Sequence, residues 1–381
     1  MELFDGNGLR SIRMDRGNAL VRKSNKTQVS IAGAIQDQIL AKLIAFGDPT
    51  GLFARFLFLP LPSIAIKLGK LSEQEKQASR EARKYLKEFL SDRRVIEVNP
   101  FLWKVILNLF ILTFRPSKTA KAYKEIWMKD ENISPLRYYT IKQTEKVKST
   151  ISNKDLIVDY AMRYGNPSIK SKMLDLQESG CENIIILPLY PQYAAATTAT
   201  VCDEVYRTLM KMRWQPSLQI IPHYESEPLY IRAIVNSINQ KLSSINWKPD
   251  LILASYHGIP QKYFDKGDPY HCYCHKTTRL ISEKLTSIEI KTTFQSRFGP
   301  EKWLQPYTDK TLESLPKEGK KNVLAICPGF SSDCVETLEE IQIQGKESFL
   351  DSGGENFDMV PCLNDNDDHI VLLKSLIQKN I

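Results

Sequence analysis

The sequence predicts an α/β protein built on a parallel sheet covered by helices on both faces. Two observations lead there. Five short runs, "DLIVDYAMRYG", "CENIIILPLYP", "LQIIPHY", "DLILASYHG" and "NVLAICPGF", are apolar nearly throughout. They are separated by segments with helical spacing, such as "NPSIKSKMLDLQESG" and "PLYIRAIVNSINQKLSS". Strands without polar alternation are buried on both faces, and intervening helices supply the crossovers that parallel pairing needs. At 381 residues, 42% hydrophobic and 25% charged, the chain fits two domains or one large α/β unit.

In chain order, residues 1–62 read differently from the rest. Gly and Asn crowd "DGNG" and "RGNA", and an amphipathic helix is expected at "AGAIQDQILAKLIAF". From about residue 64 strands and helices alternate. "LSEQEKQASREARKYLKEFLSD" reads as a charged helix with an apolar stripe at Ala82, Tyr85, Leu86 and Phe89. Two apolar stretches, 52–66 and 101–114, fall short of the roughly 20 residues a spanning helix requires. Pro60 and Pro62 interrupt the first, and Lys104 and Asn108 the second. The stretch 101–114 reads either as a core helix or as a pocket lip facing a membrane.

Charge and cysteine usage exclude several classes. The net charge of +8, from 52 basic against 44 acidic residues, is spread along the chain. It favours anionic surfaces or ligands without the dense basic run expected of a nucleic-acid binder. Seven scattered cysteines read as free thiols of a reducing compartment. Residues 1–30 mix Glu2, Asp5 and Asp15 with Arg10, Arg13, Arg16 and Arg22 and contain no apolar h-region, so neither a secretory signal nor a transit peptide is expected.

Ligands of parallel sheets sit beyond the carboxyl ends of the strands. Those ends carry Arg163 and Tyr164, then "QYAAATTAT" with Tyr193 and Thr197, then "YHGIP" with His257, then "CPGFSSDCVETLEEI". A cation, rings, hydroxyls, an imidazole and carboxylates suit a flat, partly anionic, partly apolar ligand. No phosphate loop follows any of these strands. His257 alone is weak evidence, since a lone histidine at a strand end is more often a hydrogen-bonded structural residue. Asp333, Glu336 and Glu340 stand at i, i+3 and i+7, and a helix over them puts three carboxylates on one face. Asp333 with Glu336 also reads as a capping box, which leaves Glu340 unexplained.

The blocks "LPLYPQYAAATTAT", "SYHGIPQKYFDKGDPY", "TTFQSRFGPEKWLQPYTDKTLESL" and "CPGFSSDCVETLEEI" resemble, in order, the signature blocks of the ferrochelatase family, bacterial type. "KYLKEFLSDRRVIEVNP" and "RPSKTAKAYKEIWMKDENISPL" resemble its N-terminal blocks, so the likeness covers roughly residues 80–365. It implies a lyase that inserts ferrous iron into protoporphyrin IX to form protohaem. It also implies two similar Rossmann-like, chelatase-type domains, each a parallel sheet flanked by helices, with the porphyrin between them. Their expected extents are 63–214 plus 358–381 and 215–357, after an atypical extension, 1–62.

By the same resemblance His257 and Glu336 carry catalysis and metal contact, and Asp333 and Glu340 form a proton or metal path. Arg163 would pair with a propionate, with Tyr164, Tyr193, Thr197 and Trp303 on the ring. Trp303 as core filler and Tyr193 as a packing ring are the alternatives. Iron enters as substrate, no cofactor is required, and an iron–sulfur cluster is not expected. The partners are protoporphyrin IX and ferrous iron, with peripheral contact through 101–114 to the inner membrane, a cytoplasmic location and no nucleic acid. A chelatase for another tetrapyrrole or metal, and a non-catalytic porphyrin carrier, remain the alternatives.

Two places depart from the family pattern or stand apart from it. The opening "LLxNLGTP" of the family corresponds here to "SIAIKLGKLSEQ", which keeps only Leu68 and Gly69. "HCYCH" at 271–275 crowds two cysteines and two histidines, too tightly for a four-ligand site, and is expected to be a solvent loop.

Overall fold

The computed structural model describes residues 10–15, 18–23, 83–84, 86–151, 153 and 155–381. The chain divides into two compact units, 1–74 and 75–381. In the first, β1 (Arg10–Asp15) pairs antiparallel with β2 (Asn18–Lys23), Arg10 opposite Lys23. The expected helix at 32–46, the apolar stretch 52–66, the departing first-strand segment 63–74 and the stripe positions Ala82 and Tyr85 lie outside the described residues.

The second unit is α/β, with parallel sheets flanked by helices. Its larger sheet has four parallel strands in the order β6–β5–β7–β8. These are β5 (Leu251–His257), β6 (Ile290–Gln295), β7 (Asn322–Ile326) and β8 (Asn356–Met359). Central β5 is buried from Leu251 to Tyr256, as its unbroken apolar run requires. Its alternate residues face opposite layers. Ile252, Ala254 and Tyr256 join Ile234, Ile238, Ile281 and Leu372 from helices on one face. Leu251 and Leu253 join Leu312, Ile341 and Phe349 on the other. Each such side chain taken from water contributes about 1.5–3 kcal/mol. Strands β6 and β8 are edges and escape an apolar-run search because "IKTTFQ" and "NFDM" mix in polar residues; in β6 Thr293 and Gln295 are buried with their polar atoms hydrogen-bonded.

A smaller parallel pair, β3 (Asn183–Ile186) and β4 (Ser217–Ile220), packs against α4 (Ile169–Glu178) and α5 (Thr200–Leu209) through Met173, Val201 and Val205. Strand β4 pairs parallel with β3, Asn183 opposite Ser217, and β8 pairs parallel with β7, Asn322 opposite Asn356. The expected strand at 155–165 is not one. Its only ladder contact is a bridge from Met162 to Ser168, since no strand among the described residues lies beside it to pair its backbone.

Residues 101–114 are helical, as α1 (Pro100–Ile106), a π-helical turn (Leu107–Ile111) and the start of α2 (Leu112–Ile126). Leu107 and Leu112 are buried beside Leu90, while Phe101 and Leu109 stand 75% and 63% exposed. No described helix is long and apolar enough to cross a membrane. Helix α3 (Pro135–Thr150) and the last helix, Asp367–Gln378, meet through Val147, Ile370 and Leu373. Among the remaining helices are α6 (Pro228–Ser244), α7 (Gln261–Asp265) and α8 (Tyr270–Ser282).

"HCYCH" is therefore helix, not a solvent loop. It lies in the first turns of α8, where Cys274 is buried in the core and Cys272 faces out. The apolar i, i+4 face at Tyr270, Cys274 and Thr278 drives that burial. His271 and His275 pack on one another with ring centroids 4.4 Å apart, and both rest on Phe294.

Candidate functional site

His257 is the last residue of β5 and is half-buried, whereas the six residues before it are buried. Its ring Nδ1 lies 2.7 Å from the carbonyl of Gly258. A carbonyl only accepts, so Nδ1 carries the hydrogen and Nε2 of the neutral ring keeps its lone pair. The following turn is held tightly: Gly258 N donates to Gln295 O at 2.8 Å. A Cβ on Gly258 would stand 2.8 Å from that oxygen and 3.2 Å from the Trp303 ring. Trp303 is thereby placed beside the histidine turn, with its Nε1 donating to Phe298 O at 2.9 Å.

Beside β5, the end of β6 grips the acidic helix. Gln295 is paired with His257 across the sheet, and its Nε2 donates to the carbonyl of Glu336 at 2.6 Å. Ser296, with φ of 63°, turns its N–H to Glu340 Oε1 at 2.7 Å and its hydroxyl to Oε2 at 2.5 Å. Burial pushes the Glu340 carboxyl above its ordinary range, against the Ser296 donors and the charge of His257, while the Glu336 charge adds to the push. His257, Glu336 and Glu340 thus form one electrostatic cluster.

Asp333 is not on that face. The helix is π-type and begins at Val335, so the expected row of three carboxylates holds only two. Asp333 is buried before it, accepting from Asn364 Nδ2 at 2.7 Å, Thr337 Oγ1 at 3.0 Å and Cys362 N at 3.3 Å. The capping pair is Cys334 with Thr337, not Asp333 with Glu336: Cys334 N donates to Thr337 Oγ1 at 3.0 Å, and the thiol accepts from the Thr337 backbone. The cap thus stands one residue later than the i, i+3 count from Asp333 places it, at the start of an i→i+5 helix.

A second group is built on the irregular segment before the small sheet. Arg163 lies across the Tyr164 ring, 4.3 Å from its centroid. Its Nε donates to Thr200 O at 2.8 Å and its Nη2 to Asp92 at 2.5 Å. Tyr193 and Thr197 follow β3 and are half-buried. Burial raises the Tyr193 hydroxyl pKa, opposed by the charge of Arg94. Thr197 donates to Ala194 O at 3.3 Å at the start of a π-helical turn, Ala195–Ala199.

Tyr190, unnoticed in the sequence, stands between the two groups. Burial raises its hydroxyl pKa, with Arg163 lowering it and Glu336 raising it further. Its place in "LPLYP", three residues before Tyr193, was the available signal.

The chain is 54% identical over 302 residues to the ferrochelatase of Allorhizobium ampelinum, spanning 78% of this chain and 88% of that protein. It is 50% identical over 321 residues to the ferrochelatase of Francisella tularensis subsp. novicida, spanning 83% and 96%. Among solved structures, SirB from Bacillus subtilis with Fe3+ matches at 12% identity and a TM-score of 0.48, over 65% of this chain and 91% of that one. The family model for ferrochelatase matches residues 68–381, and with these relatives the chain belongs to the ferrochelatase family.

Proposed function

We propose that the cleft beyond β3, β5 and β7 is where this lyase inserts ferrous iron into protoporphyrin IX to form protohaem, with His257 and Glu336 at the reacting atoms. The reaction exchanges two pyrrole N–H protons for one Fe2+, which sheds its water as it enters the ring. Nε2 of His257 carries the lone pair suited to a pyrrole proton or to the iron. Glu336 and Glu340, one turn apart on the π-helix, take the protons onward or bring the cation in. Asp333 supports that helix start from behind. The iron stays ferrous, so no resident redox cofactor is invoked.

Tyr164, Tyr193, Thr197 and Trp303 are assigned to the faces of the ring, with Arg163 behind Tyr164. A cleft walled by packed rings favours a bent macrocycle whose nitrogen lone pairs are exposed, which is where differential binding accelerates insertion. The exposed Phe101 and Leu109 of 101–114 form an apolar lip for porphyrin arriving from the cytoplasmic face of the inner membrane. Nucleic acid has no part in this reading.

The single observation behind the catalytic assignment is the His257 hydrogen bond to Gly258, which leaves Nε2 free beside Glu340. An anaerobic assay with protoporphyrin and ferrous iron, run beside His257→Ala, tests it. Turnover lost with porphyrin binding retained is expected; a variant as active as the parent removes His257 from the mechanism.

A further inference from the structure

Asp92 follows the helical turn at 86–90 and touches both residues assigned to the porphyrin wall. Its Oδ2 accepts from Arg163 Nη2 at 2.5 Å and from the Tyr164 hydroxyl at 3.1 Å. Arg163 and Asp92 are only 10% and 13% exposed. Phe89, one turn earlier, meets the Tyr164 ring edge-on at 5.2 Å.

The segment around Asp92 is itself clamped from both halves. Arg94 grips Asp203 of α5 with Nε at 2.5 Å and Nη2 at 2.9 Å. From α7, the Tyr263 hydroxyl donates to Val95 O at 3.1 Å and accepts from Glu97 N at 3.0 Å. Asp92 thus stands on a strap that cannot drift independently of the cleft walls.

A guanidinium withdrawn this far from water is tolerable because a partner cancels its charge and fills its donors. Nη2 is spent on Asp92 and Nε on the Thr200 carbonyl. The charge of Arg163 and two of its five N–H donors are thus engaged within the protein before any substrate arrives. Besides its remaining N–H donors, Arg163 offers the placement of the Tyr164 ring, 4.3 Å from the guanidinium.

We propose that Asp92 is a positioning residue: it neutralises Arg163 and locks Arg163 and Tyr164 into one wall that reads the flat ring more than its carboxylates. This rests on the assignment of the cleft to porphyrin. It carries a specificity consequence. With Asp92 charged, the wall offers no net positive charge to extra carboxylates; removing that charge unmasks a cation and improves porphyrins with four carboxylates relative to two.

The test uses the full chain with Asp92→Asn, Arg163→Gln and the double variant. Porphyrin binding is read by fluorescence quenching, and turnover anaerobically with ferrous iron on a dicarboxylate and a tetracarboxylate porphyrin. Asp92→Asn is expected to raise Kd and KM for the dicarboxylate porphyrin about tenfold while kcat stays within about threefold. Its preference for two carboxylates over four should narrow at least about fivefold. The double variant should bind no more weakly than Arg163→Gln alone, because a residue acting through another is not additive with it.

Unchanged Kd in Asp92→Asn, additive losses in the double variant, or a fall in kcat at constant KM each overturn the proposal. Where Asp92→Asn does not fold, the double variant, which leaves no unpaired charge, decides the same question against Arg163→Gln. Binding without haem formation in the unmutated chain sinks the assigned activity and leaves Asp92 to be judged on Kd. No porphyrin binding in the unmutated chain sinks both.

Discussion

His257 and His369 make the same local contact in two different surroundings. Each sets Nδ1 against a backbone carbonyl, Gly258 O at 2.7 Å and Asn364 O at 2.6 Å. His369 is 1% exposed at the start of the last helix, and burial lowers its pKa to about 4. His257 ends a strand half-buried, within electrostatic reach of the Glu340 carboxyl. The hydrogen bond selects the tautomer in both. Burial and a neighbouring carboxyl, which differ between the two, separate a structural imidazole from a chemical one.

Exchange of function between the two is the sharpest way to break this comparison. His257→Ala should lower kcat about 10³-fold, within the range for a lost acid–base group, with melting temperature nearly unchanged. Loss of folding with chemistry intact would make His257 another His369.

His369 should register in stability and not in turnover. Its pKa is depressed in the folded chain, so the stability it contributes is complete above the ordinary value near 6.5 and is lost as pH falls toward about 4. Over that window the loss approaches about 3 kcal/mol, at about 1.4 kcal/mol per pKa unit. Urea unfolding at pH 7 and pH 5 checks it, and His369→Gln should flatten the slope between them.

Gly258→Ala tests whether the His257 turn needs its tight seat. The added methyl meets Gln295 O at 2.8 Å and must push the turn off β6. A cost of about 1–3 kcal/mol in stability is expected, with kcat falling as the imidazole swings. Calorimetry with steady-state kinetics would show the two losses together.

The smallest effect is expected at Glu340. Its carboxyl pKa is raised by burial, so it takes up a proton at higher pH than an exposed glutamate as pH falls. A carboxylate needed for the iron or proton path therefore gives kcat an acid limb above the ordinary carboxylate range. Glu340→Gln should remove that limb and cost about tenfold near neutral pH. A pH–rate profile of the two proteins decides it.

Much of the fold was legible in the sequence. Strands β5 and β7 are apolar from end to end because both faces are covered, and His257, Glu336 and Glu340 stand at or beyond their carboxyl ends. Edge strands β6 and β8 were not legible, because their mixed composition resembles a loop. The helical state of 271–275 was hidden for a similar reason: cysteine and histidine say nothing of period until Tyr270 and Thr278 are seen to share a buried face with Cys274.

The sequence by itself determined the parallel α/β class, the family and the residue types gathered at the strand ends, since apolar runs, helical spacing and long signature blocks are properties of order along the chain. Only the tertiary structure decided which charges are free. Arg163 and Asp92 lie 71 positions apart, and Asp333 meets Asn364 across 31. Pairing at that separation is set by how the elements pack, so the buried ion pair, the withdrawn Asp333 and the carboxylate left facing His257 appear only when the chain is folded.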